Sequence, residues 1–240
     1  MRLQSVIHAI YPPQCIVCDA LTTDDHGLCG TCWADTVFLS GLVCDTCGVP
    51  LPGDEPEAGV QCDDCLTIAR PWGQGRAVFA YSGVGRRLVL GLKHSDRTDL
   101  VPSVARWMVQ RTREIPMLDP VLVPIPLHWT RLVKRRYNQS AMLAKAMGAL
   151  MDRPVCSDAL LRPKRTKYLD GHTREARFAT LVDAIAPNTK RAADIAGRNV
   201  LLVDDVMTSG ATLAASTEAV KMLGAANVSI VTLARVVKDT

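Results

Sequence analysis

Four C-x-x-C pairs near the N-terminus constrain the fold of this 240-residue chain more than any other feature. Each pair places two thiolates on one tight turn, and two such pairs provide the four sulfur ligands of a tetrahedral structural Zn²⁺ site. The spacing predicts two structural zinc ions in a double ribbon. In the serial arrangement the first ion takes the first four cysteines and the second ion the last four, whereas an interleaved cross-brace is the alternative. The predicted metal ligands are Cys15, Cys18, Cys29, Cys32, Cys44, Cys47, Cys62 and Cys65.

Disulfide bonds are the other use to which eight cysteines can be put. The N-terminus has one arginine but neither a sustained apolar segment nor a small-residue cleavage site, so it does not resemble a secretory signal peptide. No apolar run approaches the roughly 20 residues that cross a bilayer. We therefore expect a cytoplasmic protein without membrane insertion, in which the thiols stay reduced and bind metal.

The charge of the chain changes where the cysteine pairs end. Residues 1–70 have a formal charge of −8, and residues 71–240 have a formal charge of +12. We predict a zinc-ribbon domain at 1–70, with a linker around 66–76 and a basic domain at 71–240. The acidic ribbons suit a structural or protein-docking role, whereas the basic domain suits partners that carry phosphate.

From residue 77 onward, apolar strands alternate with helical patterns. The strands are rich in valine, isoleucine and leucine with little alternation, which is typical of a parallel sheet buried on both faces. We therefore predict an α/β fold for the second domain. The predicted strands are 77–81, 121–125, 199–203 and 228–234, and the predicted helices are 99–113, 139–151 and 211–223.

The segment NVLLVDDVMTSGATL at 199–213 contains the clearest candidate site. A buried strand brings Asp204 and Asp205 to its carboxyl end, where ligands bind in open parallel sheets. The loop that follows opens a helix whose first N–H groups form an anion cradle, and Gly210 permits a close approach. Two carboxylates suit a sugar diol or a hydrated Mg²⁺, so these residues together predict a ribose 5-phosphate site. The predicted binding residues are Asp204, Asp205, Thr208, Ser209, Gly210, Ala211 and Thr212.

This segment has two other interpretations, of which one stays open. A strand followed by a capped helix also occurs as an ordinary βα turn without a ligand. A P-loop is excluded, because no lysine follows the glycine.

The same segment closely resembles the motif that binds 5-phosphoribosyl 1-pyrophosphate (PRPP) in type I phosphoribosyltransferases. A second segment, PIPLHWTRLVKRRYNQS at 124–140, resembles the signature of the ComF family through Arg131-Leu132, Arg135 and the residues at 137–140. Arg136 stands where that signature often has glycine. Lys93 resembles a further family position, and Arg177 fits an arginine of the family's loop at 162–185. The resemblance covers nearly the whole chain and implies a double zinc ribbon followed by a type I phosphoribosyltransferase fold.

The resemblance implies two alternative functions. The protein is either a phosphoribosyltransferase with an unidentified acceptor or a non-catalytic module that handles single-stranded DNA during DNA uptake, docking to DNA-uptake proteins through its ribbon. For the enzyme, Mg²⁺ accompanies PRPP, and Asp204 and Asp205 act catalytically by holding the ribose diol beside the positive charge that develops at the anomeric carbon. Arg131, Arg135 and Arg177 are assigned to the pyrophosphate side. The candidates for a general base are His94, His128 and His172, and no sequence motif singles out one of them.

Overall fold

Four parallel strands form the central sheet of the computed structural model, which describes residues 11–23, 25, 27–53, 59–164 and 184–237. A second sheet consists of two short antiparallel strands. In the central sheet the strand order is first, sixth, fifth, second, so the last strand of the chain lies in the interior of the sheet. The strands are β1 Gly75–Ala80, β2 Val121–Pro124, β3 Leu160–Leu161, β4 Ala186–Pro187, β5 Asn199–Met207 and β6 Asn227–Arg235.

Helices follow most of the strands of the central sheet and cover both of its faces. Among the described residues, no helix is both long enough and apolar enough to span a bilayer. Two short 3₁₀ helices, Thr98–Leu100 and Thr189–Arg191, precede α-helices directly. The described α-helices are α1 Gly30–Ala34, α2 Asp63–Thr67, α3 Gly83–His94, α4 Val101–Thr112, α5 Trp129–Arg135, α6 Gln139–Met151, α7 Ala192–Ile195 and α8 Ala211–Met222.

The sheet separates two hydrophobic cores. Side chains alternate along β5, so Leu201 and Val203 belong to one core while Val200 and Leu202 belong to the other. Helices α3, α4 and α6 pack in the first core, and α8 packs in the second. Because the strands are buried on both faces, they lack the alternation of polar residues that marks a half-exposed sheet.

The two ribbons contribute to different cores. Cys15 and Cys32 are buried in the first core, whereas Cys44, Cys47 and Cys65 are buried in the second. The second ribbon lies so close to β1 that a Cβ atom added to Gly75 would be 2.5 Å from the carbonyl oxygen of Thr46. Both ribbons are therefore part of the layers that cover the sheet. The domain division at residue 70 stays a prediction.

Several elements differ from those predicted. Strand β5 extends beyond residue 203 to Met207, because it continues to pair with β6 as far as Arg235. Helix α3 and helix α5 were not predicted; α5 has no buried residue and hence no periodic apolar pattern. The linker predicted at 66–76 overlaps α2 and the start of β1, and its Trp72 is only 4% exposed.

Candidate functional site

The two aspartates of β5 form the centre of the candidate site. Asp204 Oδ1 accepts hydrogen bonds from Ser140 Oγ and from the backbone N–H of Asp205, both at 2.9 Å. Asp205 is 7% exposed and forms an ion pair with Lys93, with 2.9 Å between Oδ1 and Nζ. Burial and the neighbouring charge of Asp205 raise the pKa of Asp204 to about 7, although Lys93 and Ser140 act in the opposite direction. The pair is therefore held in place with less than its full negative charge at neutral pH.

The residues at 137–140 explain why Ser140 reaches Asp204. Asn138 caps α6 by accepting from the Ser140 N–H at 3.0 Å, and its Nδ2 donates to the carbonyl of Ile125 at 2.9 Å. Tyr137 donates its hydroxyl to the carbonyl of Leu92 at 2.8 Å, directly before Lys93. This short segment thus forms hydrogen bonds with the residue after β2, with the last turn of α3 and with Asp204 in β5. Sequence reasoning used it as a family signature and missed Ser140 as a contact of the acidic pair.

The predicted phosphate loop follows the aspartates after Val206 and Met207, the last two residues of β5. Gly210 has a φ of 82° and forms the N-cap position of α8, where the first N–H groups of the helix lack intrahelical partners. The N–H of Ala211 lies 3.4 Å from Ser209 Oγ. Thr208 is exposed, whereas Ser209 and Thr212 are partly exposed. The predicted loop thus lies at the N-terminus of α8, where backbone N–H groups can bind an anion.

Helix α5 presents the cationic segment near this edge of the sheet. It begins at the side-chain cap of His128, which accepts from the Thr130 N–H at 3.3 Å, and it ends at Arg136 with a φ of 66°. The left-handed conformation at Arg136 explains why glycine suits this position. Arg135 donates to Gln139 Oε1 at 3.4 Å. Arg131 and Arg135 are therefore held on a short helix at the end of β2, with Arg135 bonded to the first residue of α6.

Arg162, directly after β3, belongs with these cations and was not predicted as a site residue. Burial and the charge of Arg131 lower the pKa of Arg162, whereas the charge of Asp204 raises it. Arg162 thus interacts electrostatically with both Arg131 and Asp204. Arg177 and His172 lie outside the described residues. His94 is exposed at the end of α3, where burial and the cations Arg135, Lys93 and Lys134 lower its pKa.

The eight clustered cysteines form two groups in the serial order, which confirms that prediction over the cross-brace. The sulfur atoms within each group lie within 4.8 Å of one another. The Sγ atoms of Cys18 and Cys29 are 3.5 Å apart, and those of Cys47 and Cys62 are 3.6 Å apart. A tetrahedral Zn²⁺ with Zn–S bonds of about 2.3 Å holds its sulfurs at similar separations, roughly 3.8 Å. Hydrogen bonds with Cys44 and Cys47 and burial raise the pKa of Cys65. Four thiolates at such distances therefore need a counter-charge, which a divalent cation supplies.

We expect metal analysis of the purified protein to give about two zinc ions per chain. Replacing Cys62 and Cys65 together by serine should reduce that number to one, because both are ligands of the second group. Cys156 is buried outside the groups, so Cys156→Ser serves as the matched control and should retain both ions. Zinc-free protein with disulfides found by mass spectrometry would contradict this prediction.

Comparison with known proteins identifies both parts of the chain. Residues 6–66 match the double zinc ribbon domain, and residues 134–240 match the phosphoribosyl transferase domain. The DNA utilization protein YhgH of Salmonella typhi is 27% identical over 93% of this chain and 97% of its own length. Competence protein F of Haemophilus influenzae is 26% identical over 92% of this chain and 96% of its own length. The similarity to these relatives thus extends over nearly the full length of each chain.

Proposed function

This chain is a ComF-type protein, a double zinc ribbon joined to a phosphoribosyltransferase-like domain, and from that premise we propose that it binds PRPP together with Mg²⁺. The observation that carries the proposal is the arrangement of Asp204 and Asp205, fixed by Ser140 and Lys93 directly before the Gly210 turn. An acidic pair and an anion cradle in sequence match the two ends of a ribose 5-phosphate. The combination is difficult to explain as a simple helix cap, which needs no buried carboxylates.

The aspartates are assigned to the ribose hydroxyls. Carboxylates accept hydrogen bonds from hydroxyls, and such charge-assisted bonds are stronger than neutral ones. Lys93 already neutralises part of the charge on Asp205. The 5-phosphate is assigned to the N–H groups at the start of α8 and to the hydroxyls of Thr208 and Thr212, where the helix dipole favours an anion.

Arg131, Arg135 and Arg177 are proposed for the pyrophosphate side, and Arg162 is added to them. The effects of Asp204 and Arg131 on the pKa of Arg162 support this addition, because each of these charges interacts with Arg162. A bound Mg²⁺ would neutralise the pyrophosphate as it leaves, and the oxygen ligands of this site suit that ion.

If the protein is a transferase, its reaction breaks the bond between the anomeric carbon and pyrophosphate and forms a bond from that carbon to the acceptor. The ribose becomes positively charged in the transition state, and the carboxylates of Asp204 and Asp205 stabilise that charge electrostatically. The arginines of the pyrophosphate side stabilise the leaving group. Isotope-labelled PRPP incubated with a cell extract and the purified protein tests this step, because pyrophosphate release with a labelled acceptor identifies a transferase.

Calorimetric titration with Mg²⁺-PRPP tests binding. The affinity for PRPP should increase as the pH rises from 6 to 8. The pKa of Asp204 is raised to about 7, so the folded protein keeps a proton there below that pH. A ligand that needs the ionised carboxylate should therefore bind about tenfold more tightly at pH 8 than at pH 6, in proportion to the ionised fraction. A chain with Asp204→Asn should keep only the smaller change that arises from the ligand's own phosphate ionisation. Absence of PRPP binding at both pH values would refute the proposed function.

A second function, the binding of single-stranded DNA, is supported by the surface of α5. None of the residues of this helix is buried, Trp129 is 66% exposed, and Lys134 and Arg136 are also exposed. Cations that contact phosphates and an aromatic side chain that stacks on a base are the two components of single-strand binding sites. The relatives named for DNA utilization and competence fit this alternative.

Salt dependence distinguishes the two functions. If Arg131, Lys134, Arg135 and Arg136 contact DNA phosphates, single-strand affinity should fall steeply with salt, and each cation replaced by glutamine should reduce the slope by about 0.7. Arg113→Gln, an exposed arginine at the far end of α4, is the matched control. Saturating Mg²⁺-PRPP should compete with DNA if both ligands use this edge. DNA affinity that is unaffected by PRPP would show that the sites are separate.

A further inference from the structure

Residues that follow the second cysteine group pack against the phosphate loop. Arg70 Nη1 donates a hydrogen bond to the carbonyl of Ser209 at 2.9 Å. Trp72 is 4% exposed and donates its indole N–H to the carbonyl of Thr46 at 2.6 Å. Thr46 lies between the ligands Cys44 and Cys47. One continuous set of contacts therefore leads from the turn of the second zinc site to the loop.

The loop is packed directly against these residues at Gly210. A Cβ atom at this position would be 3.2 Å from Trp72 Cη2, 3.1 Å from Arg70 Nη1 and 2.7 Å from Met207 Cε. The turn thus lies on the guanidinium and the indole, which also contact each other, with 5.6 Å between Arg70 Cζ and the ring centroid. A displacement of Trp72 would remove the support beneath Gly210.

Arg235 holds the same loop from the end of β6. Its guanidinium is buried there, and Nη1 donates to the carbonyl of Thr208 at 2.6 Å and to that of Met207 at 3.3 Å. The backbone just before the Gly210 turn is therefore fixed on the sheet as well.

We propose that the second cysteine group, when loaded with zinc, positions the phosphate loop, with Arg70 and Trp72 as the positioning residues. The positioning role is inferred from the contacts of the loop alone. Its effect on PRPP binding rests in addition on the proposed function. Zinc fixes the turn between Cys44 and Cys47, and this turn holds the Thr46 carbonyl to which Trp72 is bonded. Zinc retention and ligand binding are then coupled, and the coupling acts equally in both directions.

The first cysteine group has different neighbours among the residues that the structure describes. Arg97 donates to the carbonyl of Ile16 at 3.3 Å, and Phe38, after α1, contacts Phe79 and Trp107 through their aromatic rings. These contacts lead to β1, to α4 and to the segment after α3. The first group therefore serves as an internal control for the second.

Hydrogen exchange of the loop amides at 208–212, measured by mass spectrometry, tests the proposal without PRPP. Trp72→Phe keeps both cysteine groups but removes the bond to Thr46, so these amides should exchange about fivefold faster, the effect of one lost hydrogen bond. Trp107→Phe is the matched control beside the first ribbon and should leave the loop amides unchanged. Cys62→Ser should accelerate the same amides, whereas Cys18→Ser should not.

A peptide from the interior of β5, residues 200–203, reports on global unfolding in every variant. If Cys62→Ser also accelerates exchange in the peptide 200–203, this variant is globally destabilised. The result for Trp72→Phe then decides alone whether the loop is positioned as proposed. Loop exchange that is unchanged in Trp72→Phe would overturn the proposal. Titration of the wild type with Mg²⁺-PRPP is a separate measurement, so a failure of the proposed function is recognised independently. Where PRPP binds, it should slow zinc loss to a chelator in the wild type, and pyrophosphate alone is the control.

Discussion

Replacing Asp204 and Asp205 together by asparagine should weaken the binding of Mg²⁺-PRPP by about 2–4 kcal/mol, which is the scale of lost charge-assisted hydrogen bonds. Asparagine keeps the size of the side chain and an oxygen acceptor, but it removes the charge that favours Mg²⁺ and the developing positive charge on ribose. At 1.4 kcal/mol per factor of ten, the dissociation constant should rise by roughly 30-fold to 700-fold.

Glu218→Gln is the matched control, because this acidic side chain is exposed on α8, two turns beyond the phosphate loop. Its affinity for PRPP should equal that of the wild type. The double variant leaves Lys93 without its partner, so thermal unfolding must be measured in parallel. A folded double variant that retains full affinity would refute the assignment of the aspartates to ribose.

Gly210→Ala should have the second large effect, on both stability and binding. A left-handed conformation costs a residue other than glycine about 1–2 kcal/mol, and overpacking a filled site adds about 1–3 kcal/mol. The new methyl group would meet Met207, Arg70 and Trp72, so the loop must shift away from the residues that support it. We expect a loss of about 2–4 kcal/mol in the free energy of unfolding and at least a tenfold loss of PRPP affinity, because N–H groups that contact a phosphate lose their alignment.

Gly197→Ala separates the two contributions. Gly197 has a φ of 68°, but no atom lies within 4 Å of an added Cβ. This variant should therefore show the backbone cost alone and bind PRPP normally. If Gly210→Ala and Gly197→Ala destabilise the protein equally, the contacts beneath the loop contribute nothing to its stability.

The sequence was most informative where a site is contiguous. The four cysteine pairs each lie on one turn, so spacing alone predicted two four-cysteine sites with the serial order as the simplest arrangement, and the structure decided against the cross-brace. The acidic pair and the phosphate loop also follow one another within 204–212, and no folding of distant segments is needed to bring them together. Apolar strands were found for the same reason, although β5 continues four residues further than its apolar run.

Contacts between distant segments were not predictable in this way. Ser140 and Lys93 reach the aspartates from α6 and α3, and Arg162 approaches them from the end of β3. Their positions depend on the packing of helices on the sheet, which a local pattern does not encode. The charge difference between 1–70 and 71–240 likewise did not indicate that cysteines of the two ribbons are buried in the two cores of the sheet.

The position of β6 between β1 and β5 has a consequence for folding during synthesis. Gly75 pairs with Ile230, so the first strand must wait for its neighbour until almost the entire polypeptide has left the ribosome. The cysteine groups, in contrast, join nearby segments and can close early, because local contacts form faster than distant ones. A premature stop codon before residue 227 would therefore leave both zinc groups with all their ligands but would remove an interior strand. We expect such a truncated chain to aggregate, because β1 and β5 would each keep an unpaired hydrophobic edge.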